Sequence, residues 1–286
     1  MSTLTAPSRL TTRERARRAA RGGASRSVPV PLLVPALIAI AFLVLPLVGL
    51  LLRAPWGHLA AALSGSDATQ ALILSLWTAT TATAISLVIG VPLAWVLART
   101  SFPGQRLLRA LVTLPLVLPP VVGGVALLLA FGRTGFVGRL LDSWFGLTIP
   151  FTPIAVVMAE TFVAMPFLII TVEGALRSAD QGFEEAAATL GAKRMTVFRR
   201  VTLPLIAPSL GAGAVLCWAR ALGEFGATIT FAGSFPGQTE TMPIAVYYAL
   251  ENDPDAAIAL SLVLLLVSIV VLVSLRDHWL RGGSVA

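Results

Sequence analysis

Two residues of opposite charge, Arg220 and Glu224, lie four positions apart inside a long apolar stretch of the sequence. A charged side chain at membrane depth is costly, and it is therefore a functional hypothesis by default. On a helix the two residues would share one face and neutralise each other. Two interpretations stay open: Arg220 offers a guanidinium fork to an oxyanion near a gate, or the pair is structural and fixes the register of its helix.

A third charged residue, Glu160, interrupts another apolar stretch, and it would belong to a pathway if it faced the interior of a helix bundle. Pro119 and Pro120 lie in the run LPLVLPPVVGG, which cannot form one straight helix because each proline removes a backbone donor. Broken membrane helices usually face a pathway. We therefore predict a pathway or gate that includes these three residues together with Arg220 and Glu224.

The sequence contains no set of residues typical of catalysis. Lys193 is the only lysine, and it is followed by Arg194 rather than by Ser or Thr, so no P-loop for ATP is present. His58 and His278 are too few for a zinc site, and no Gly-x-Ser-x-Gly elbow occurs. We expect a protein that is not an enzyme and binds no metal or cofactor; if ATP is used, a separate subunit binds it.

The segment 173–204 has an amphipathic pattern. Apolar residues recur at helical spacing and leave charge on the other face: Phe183, Ala187, Leu190, Val197 and Val201. Such a helix needs a partner surface or the membrane interface. Gly191, in the middle of the pattern, predicts a turn between two short helices.

The run EAAATLGAKRMTVFRRVTLP in this segment resembles the signature loop of ABC-importer permeases. Seven residues are in register with that loop, with Val201 replacing the commoner isoleucine: Glu185, Ala186, Ala187, Gly191, Val201, Leu203 and Pro204. In that family the loop docks on the ATP-binding subunit and transmits its closure to the membrane helices. The resemblance implies that Glu185 caps or orients the coupling helix and that Gly191 permits its turn. The alternative is a membrane-surface helix with coincidental spacing.

Two further stretches narrow the resemblance to one branch. ARALGEFGATITFAGSFPGQTETMPIAVY at 219–247 and PLVLPPVVGGVALLLAFG at 115–132 are similar to molybdate permeases, and sulfate permeases have a related version. The resemblance, which covers about residues 70–275, implies an importer of an oxyanion, molybdate first, with sulfate, thiosulfate or tungstate as alternatives. It also implies a homodimer, two ATP-binding subunits and an extracytoplasmic substrate-binding protein.

Composition indicates that membrane helices position these residues. Hydrophobic residues make up 56% of the chain, charged residues 12%, and the mean hydropathy is +0.86. A soluble domain with so few charges could not cover its surface with polar groups. The net charge of +7 comes largely from arginines that flank apolar stretches, which indicates membrane topology rather than nucleic-acid binding. We predict an all-α integral membrane protein.

A bilayer core needs about 20 apolar residues per helix. The sequence contains six such stretches, at 28–52, 72–98, 108–131, 151–172, 205–231 and 256–275. If the N-terminus is cytoplasmic, 17 basic residues fall on the cytoplasmic side and only three, Arg53, Arg133 and Arg139, on the other. This bias predicts an even number of spans with both termini in the cytoplasm. The resemblance implies a type I ABC importer permease-like bundle in the inner membrane of a prokaryote.

Three parts follow along the chain: a basic cytoplasmic tail at 1–27, a permease domain at 28–276 with its cytoplasmic coupling loop at 173–204, and a cytoplasmic tail at 277–286. We expect the arginine-rich N-terminal tail to touch anionic lipid. The first apolar stretch is longer than a signal-peptide core, which predicts an uncleaved anchor. A secondary transporter is the remote alternative; it would show inverted repeats or a relay of acidic residues.

Overall fold

The computed structural model describes residues 30–57 and 66–282, and the regular elements in these two ranges are all helical. The predicted all-α class is therefore confirmed. The basic tail predicted at 1–27 lies outside the described residues, as do residues 283–286 of the predicted C-terminal tail.

Helix α1 spans Val30–Leu52, and the predicted first span at 28–52 differs from it by two residues. Its segment Pro31–Leu52 has a mean hydropathy of 2.7. A helix of 23 residues is about 35 Å long, enough to cross a hydrocarbon core of about 30 Å. Clustering of contacts separates α1 from the rest of the chain as a unit of its own.

The second unit begins at Arg53 and contains the other helices. They are α2 (Ser66–Arg99), α3 (Gln105–Val117), α4 (Pro120–Phe131), α5 (Phe136–Phe145), α6 (Pro153–Ser178), α7 (Gly182–Thr189), α8 (Arg194–Val197), α9 (Leu203–Leu222), α10 (Gly226–Phe231), α11 (Met242–Asn252) and α12 (Pro254–Gly282). A π-helical turn at Phe198–Thr202 joins α8 to α9.

Helix α6 is the centre of this unit, because α2, α9, α4 and α10 all pack against it. Its contacts with α2 involve alanines that are fully buried, including Ala79, Ala82 and Ala94. Small residues let two membrane helices approach closely, and this close approach provides the van der Waals contacts that hold such helices together. A second apolar core joins α4, α6 and α10, and a third joins α2, α11 and α12.

The predicted interruption of the third span is present, since α3 and α4 meet at an angle of 118° around Leu118 and Pro119. Helix α3 begins beside the end of α6, where Arg109 contacts Glu173, and α4 ends beside the start of α6, where Arg133 contacts Thr148. The bent pair therefore extends from one end of α6 to the other, as a single broken span would. Counting the pair as one span gives six candidate spans in the described residues, and five helices qualify without it.

Several predicted boundaries differ from the helix ends: α2 begins at Ser66 rather than at 72, and α12 ends at Gly282 rather than at 275. Two further differences concern charged residues. The fifth span does not run continuously over 205–231, because α9 ends at Leu222 and α10 starts at Gly226 after a break. The fourth span does not end at 172, because α6 continues for more than a turn, to Ser178. The charged residues in this extra turn, Glu173 and Arg177, form an ion pair of 3.0 Å and so continue the helix beyond the apolar stretch.

Candidate functional site

Two interrupted helices meet at one place, which we call the helix-break site: residues 118–120 between α3 and α4, and residues 223–226 between α9 and α10. A Cβ atom on Gly226 would lie 2.8 Å from the Cβ of Pro120, and one on Gly124 would lie 2.8 Å from the carbonyl oxygen of Ala227. Only glycine permits such an approach of one backbone to another. Discontinuous helices that meet inside a bundle are typical of transport pathways.

Arg220 and Glu224 lie at this site and form the predicted ion pair, with Nη1 of Arg220 2.7 Å from Oε2 of Glu224. The predicted shared helix is wrong, because Gly223 ends α9 and places Glu224 in the break. Oε1 of Glu224 accepts a hydrogen bond of 2.8 Å from the backbone N–H of Ala227, in the first turn of α10. Glu224 thus accepts a hydrogen bond from a backbone N–H at the start of α10 that has no partner within the helix. The positive charge of Arg220 balances the negative charge of its carboxylate.

The two partners differ in exposure: the Glu224 side chain is 1% exposed and that of Arg220 is 29% exposed. A guanidinium carries five N–H donors, and its ion pair with Glu224 is made through Nη1. Arg220 can therefore hold Glu224 in place and still present donors to the surroundings. Pro119 and Pro120, the other predicted pathway residues of the break, are exposed as well.

Glu160 occupies a different environment. Its side chain is buried between α6 and α2, where Oε1 accepts a hydrogen bond of 2.9 Å from the Thr78 hydroxyl. Oε2 has no hydrogen-bond partner among the described residues. Glu160 thus lies in the interior of its own chain, whereas Arg220 is partly exposed and Pro119 and Pro120 are exposed. In the described ranges, no three His, Cys, Asp or Glu side chains are grouped as metal ligands would be.

The second predicted site, the coupling loop, contains the turn that the sequence predicts at Gly191. Helix α7 ends at Thr189, Gly191 has a φ of +84°, and α8 starts at Arg194. The N–H of Gly191 bonds to the carbonyl of Ala188 at 2.9 Å, and the N–H of Ala192 bonds to that of Ala187 at 3.1 Å. These two bonds form a Schellman motif, whose left-handed residue is usually glycine because it has no Cβ.

The other residues of the loop motif have distinct positions. The carbonyl of Ala186 accepts the N–H of Leu190 at 3.1 Å, so it helps to close α7, and Leu203 and Pro204 begin α9. Glu185 is exposed on α7, and two large apolar side chains are exposed as well: Phe183 on α7, at 59%, and Leu190 directly after the helix, at 89%. Helix α7 and the residue that follows it therefore expose both a carboxylate and apolar surface.

Glu184, which sequence reasoning passed over, is the residue that fastens α7 to the bundle. Its Oε1 lies 2.9 Å from Nη2 of Arg99 at the end of α2, and it accepts a hydrogen bond of 3.0 Å from the Thr202 hydroxyl. The side chain of Arg99 is 7% exposed and that of Glu184 is 19% exposed. One carboxylate oxygen thus ties the coupling helix to both α2 and the π-helical turn that leads into α9.

Further ion pairs surround Glu173 at the same end of the bundle. Its Oε1 lies 2.8 Å from Nη2 of Arg109 and 3.0 Å from Nη2 of Arg177. Both arginines also donate to the carbonyl oxygen of Leu97, each at 3.3 Å. Together with Arg99 and Glu184, these residues form what we call the loop-end network, which joins α2, α3, α6 and α7. A sequence signal existed only for the i,i+4 pair of Glu173 and Arg177.

At the opposite end of the bundle, Glu240 lies in the segment between α10 and α11. Burial first, and the negative charge of Asp67 second, raise the pKa of Glu240 above its ordinary value, while a hydrogen bond with Ser234 lowers it. Two carboxylates are thus brought close together at this end of the bundle.

The sequence of this chain is similar to those of known transport proteins. Residues 86–281 match the family described as binding-protein-dependent transport system inner membrane component. The chain is similar to the molybdenum transport system permease protein ModB of Mycobacterium tuberculosis, with 50% identity over 83% of this chain and 90% of that protein. The ModB protein of Escherichia coli is 42% identical over 75% of this chain and 94% of its own length.

More distant similarities extend the comparison. The sulfate transport system permease protein CysT of Salmonella typhimurium is 36% identical over 84% of this chain and 88% of that protein. Among solved structures, a bacterial ABC transporter involved in the import of the acidic polysaccharide alginate has a TM-score of 0.70 at 21% identity. The match covers 88% of this chain and 94% of that chain, and at this identity it supports the fold alone.

Proposed function

The chain belongs to the family of binding-protein-dependent transport system inner membrane components, and we propose that it is the permease subunit of an ATP-driven importer for molybdate. It is a transport subunit rather than an enzyme, as its relatives are named. The proposed substrate rests on two ModB proteins that match more than two thirds of the chain at 42–50% identity. A secondary transporter has no support from this family.

The structural observation that carries the proposal is the coupling loop. Its helix α7 is held to the bundle by Glu184 and closed by the Schellman turn at Gly191, and Glu185, Phe183 and Leu190 are exposed around it. A soluble ATP-binding subunit can contact this element through its exposed carboxylate and its exposed apolar side chains. Movement of that subunit would then pull on α2 through Arg99 and on α9 through Thr202.

Helix α9 connects the coupling loop to the helix-break site. It starts directly after the π-helical turn and has 20 residues, so its length is about 30 Å. Its last turn carries Arg220. A shift of the coupling helix would therefore reach Arg220 through α9 and Glu224 through its ion pair with Arg220. The break at 118–120 would respond because Pro120 packs against Gly226. ATP binding would favour one of two conformations through its differential affinity for them.

The anion itself would meet a single positive side chain at this site. Arg220 is partly exposed and has donors beyond the one that holds Glu224. A guanidinium is suited to an oxyanion because its donors form a planar fork. Glu224 would keep Arg220 oriented and limit how tightly it retains the anion, which must also be released.

We further propose a homodimer in the cytoplasmic membrane, with a pathway between the two copies, two ATP-binding subunits on the coupling loops, and a substrate-binding protein on the opposite side. The bias of basic residues, 17 against three, supports cytoplasmic termini for a six-span chain. Fusion of a topology reporter after Gly237 should then report an external location, and fusions at both termini a cytoplasmic one.

Sulfate is the second candidate substrate, favoured by the 36% identity to CysT. Reconstitution into vesicles with the cognate ATP-binding subunit and binding protein decides between the candidates. ATP-dependent uptake of molybdate that is insensitive to a large excess of sulfate supports the proposal. Uptake of sulfate that molybdate does not inhibit would contradict the substrate but retain the importer, whereas no ATP-dependent uptake of either anion would contradict both.

A further inference from the structure

A groove beside the coupling loop is not used by the transport mechanism described above. It has a volume of about 260 Å³ and lies between the last two turns of α2 and the start of α8. We call it the loop-end groove; its lining residues are Pro92, Trp95, Val96, Arg194, Met195 and Phe198. Typical pockets for small metabolites have about 300–1,000 Å³, so this groove accommodates a segment of a chain rather than a whole cofactor.

The groove is lined mostly by apolar side chains, and one edge carries a cation. The α2 side, with Pro92, Trp95 and Val96, belongs to a candidate membrane span that runs over Asp67–Arg99. The α8 side ends in the exposed guanidinium of Arg194. An apolar wall within a span and a cation at its edge match a molecule with an apolar chain and an anionic head. Tryptophan is itself enriched at the depth where lipid chains meet their headgroups.

The charge around Arg194 points to an anion. Between Gly191 and Pro204 the chain carries four basic residues and no acidic one: Lys193, Arg194, Arg199 and Arg200. The ion pairs found in the described residues involve other arginines, at positions 99, 109, 177 and 220. The positive charge of this segment is therefore available to a ligand, and basic pockets between membrane helices bind anionic lipid headgroups.

We propose that the loop-end groove binds an anionic phospholipid, with part of an acyl chain along Trp95 and Phe198 and the phosphate group on Arg194. A soluble ATP-binding subunit fits this position less well, because the floor of the groove lies on a membrane span. The bound lipid would cover the joint between α2 and the coupling loop. The inference requires a membrane-spanning chain and does not depend on which anion is transported.

The test uses the full-length chain in nanodiscs that contain phosphatidylglycerol and phosphatidylcholine with identical acyl chains. Native mass spectrometry after mild delipidation counts the lipids that stay bound. We expect at least one retained phosphatidylglycerol in the wild type and about fivefold less retention in Arg194→Ala, the effect of one basic residue near the surface. Arg139→Ala, which removes an exposed arginine elsewhere, is the matched control and should retain lipid like the wild type.

A second variant and a second condition sharpen the test. Trp95→Ala removes a wall of the groove and should also reduce retention, while addition of the ATP-binding subunit should leave retention unchanged. Equal retention of the two lipids, an unaltered Arg194→Ala variant, or displacement of the lipid by the ATP-binding subunit would each overturn the proposal.

Discussion

The loop-end network and the helix-break site both use arginine–carboxylate pairs, but with different balances of charge. At the loop end, three arginines surround Glu173 and Glu184, and two of the three also donate hydrogen bonds to the carbonyl oxygen of Leu97. At the helix-break site, one partly exposed arginine faces one fully buried carboxylate. A group of several mutually fixed charges resists rearrangement, whereas a single pair with an exposed cation can admit an incoming anion. We therefore propose mechanical connection as the role of the first region and selectivity as the role of the second.

The largest effect is expected from Arg220→Ala, because it leaves the Glu224 carboxylate buried without its cation. Breaking a buried ion pair in this way costs about 3–5 kcal/mol, so the folded yield should fall steeply. Arg220→Ala with Glu224→Gln should recover most of the yield, since the amide oxygen can still accept the N–H of Ala227. Size-exclusion profiles and thermal unfolding of the three variants measure this.

Transport by the recovered double variant separates the two roles of Arg220. If Arg220 contacts the anion, the double variant folds but takes up the oxyanion poorly, and Glu224→Gln alone is much milder. A double variant with wild-type uptake would make the pair purely structural. One that folds as badly as Arg220→Ala would show that the two side chains do not depend on each other.

The second prediction concerns Glu184→Ala at the loop end. It leaves the nearly buried Arg99 without its carboxylate and detaches α7 from the bundle, at a cost of about 3 kcal/mol because the pair is slightly more exposed. The isolated chain should unfold at a lower temperature, and ATP hydrolysis in the assembled importer should no longer drive uptake. Glu185→Ala is the matched control: the isolated chain should keep its stability while binding of the ATP-binding subunit weakens.

Gly191→Val should have a smaller effect on folding and a clear one on coupling. A β-branched residue at a φ of +84° costs about 1–2 kcal/mol, which the chain can tolerate by opening the Schellman turn. The direction of α8 relative to α7 would then change. We expect an inserted protein with reduced uptake per ATP hydrolysed, and Gly191→Asn, which tolerates the left-handed conformation, should be closer to the wild type.

The smallest effect is expected at Glu240, away from both regions. Because the folded state raises the pKa of Glu240, the ionised carboxylate is disfavoured in the fold at neutral pH. Glu240→Gln should therefore raise the unfolding temperature slightly at pH 7 and make little difference near pH 4, where the wild type is also protonated. If Glu240→Gln instead lowered the unfolding temperature at pH 7, the conclusion that burial and the nearby Asp67 make the ionised Glu240 unfavourable in the fold would be contradicted.

The sequence predicted those features that depend on composition and on local backbone chemistry. Hydropathy located α1 to within two residues, the paired prolines predicted the break before α4, and Gly191 predicted the turn. Each follows from the residues at the position itself, without knowledge of distant contacts. The resemblance of the loop to ABC-importer permeases likewise agrees with the family match over residues 86–281.

Features that depend on three-dimensional contacts were missed. Glu184 and Glu185 are adjacent on α7, and only the packing of that helix decides that Glu184 meets Arg99, a residue 85 positions away. Glu224 was assigned to the helix of Arg220, although Gly223 and Gly226 flank it and favour an interruption. The sequence also could not show that Glu160 faces the interior of the bundle, where it contacts Thr78 of another helix; its role in a pathway stays a prediction.

The central claim is that the coupling loop and the helix-break site move together. Val122, in the first turn of α4, is 48% exposed, and the only native cysteine, Cys217, is buried. A Val122→Cys substitution in a Cys217→Ser background therefore reports on the break through its rate of thiol labelling in the assembled importer. We predict that trapping the ATP-bound state changes this rate several-fold, and that Glu184→Ala abolishes the change while the ATP-binding subunit remains bound. An unchanged rate in the otherwise wild-type protein, or the same change with and without Glu184, would contradict the claim.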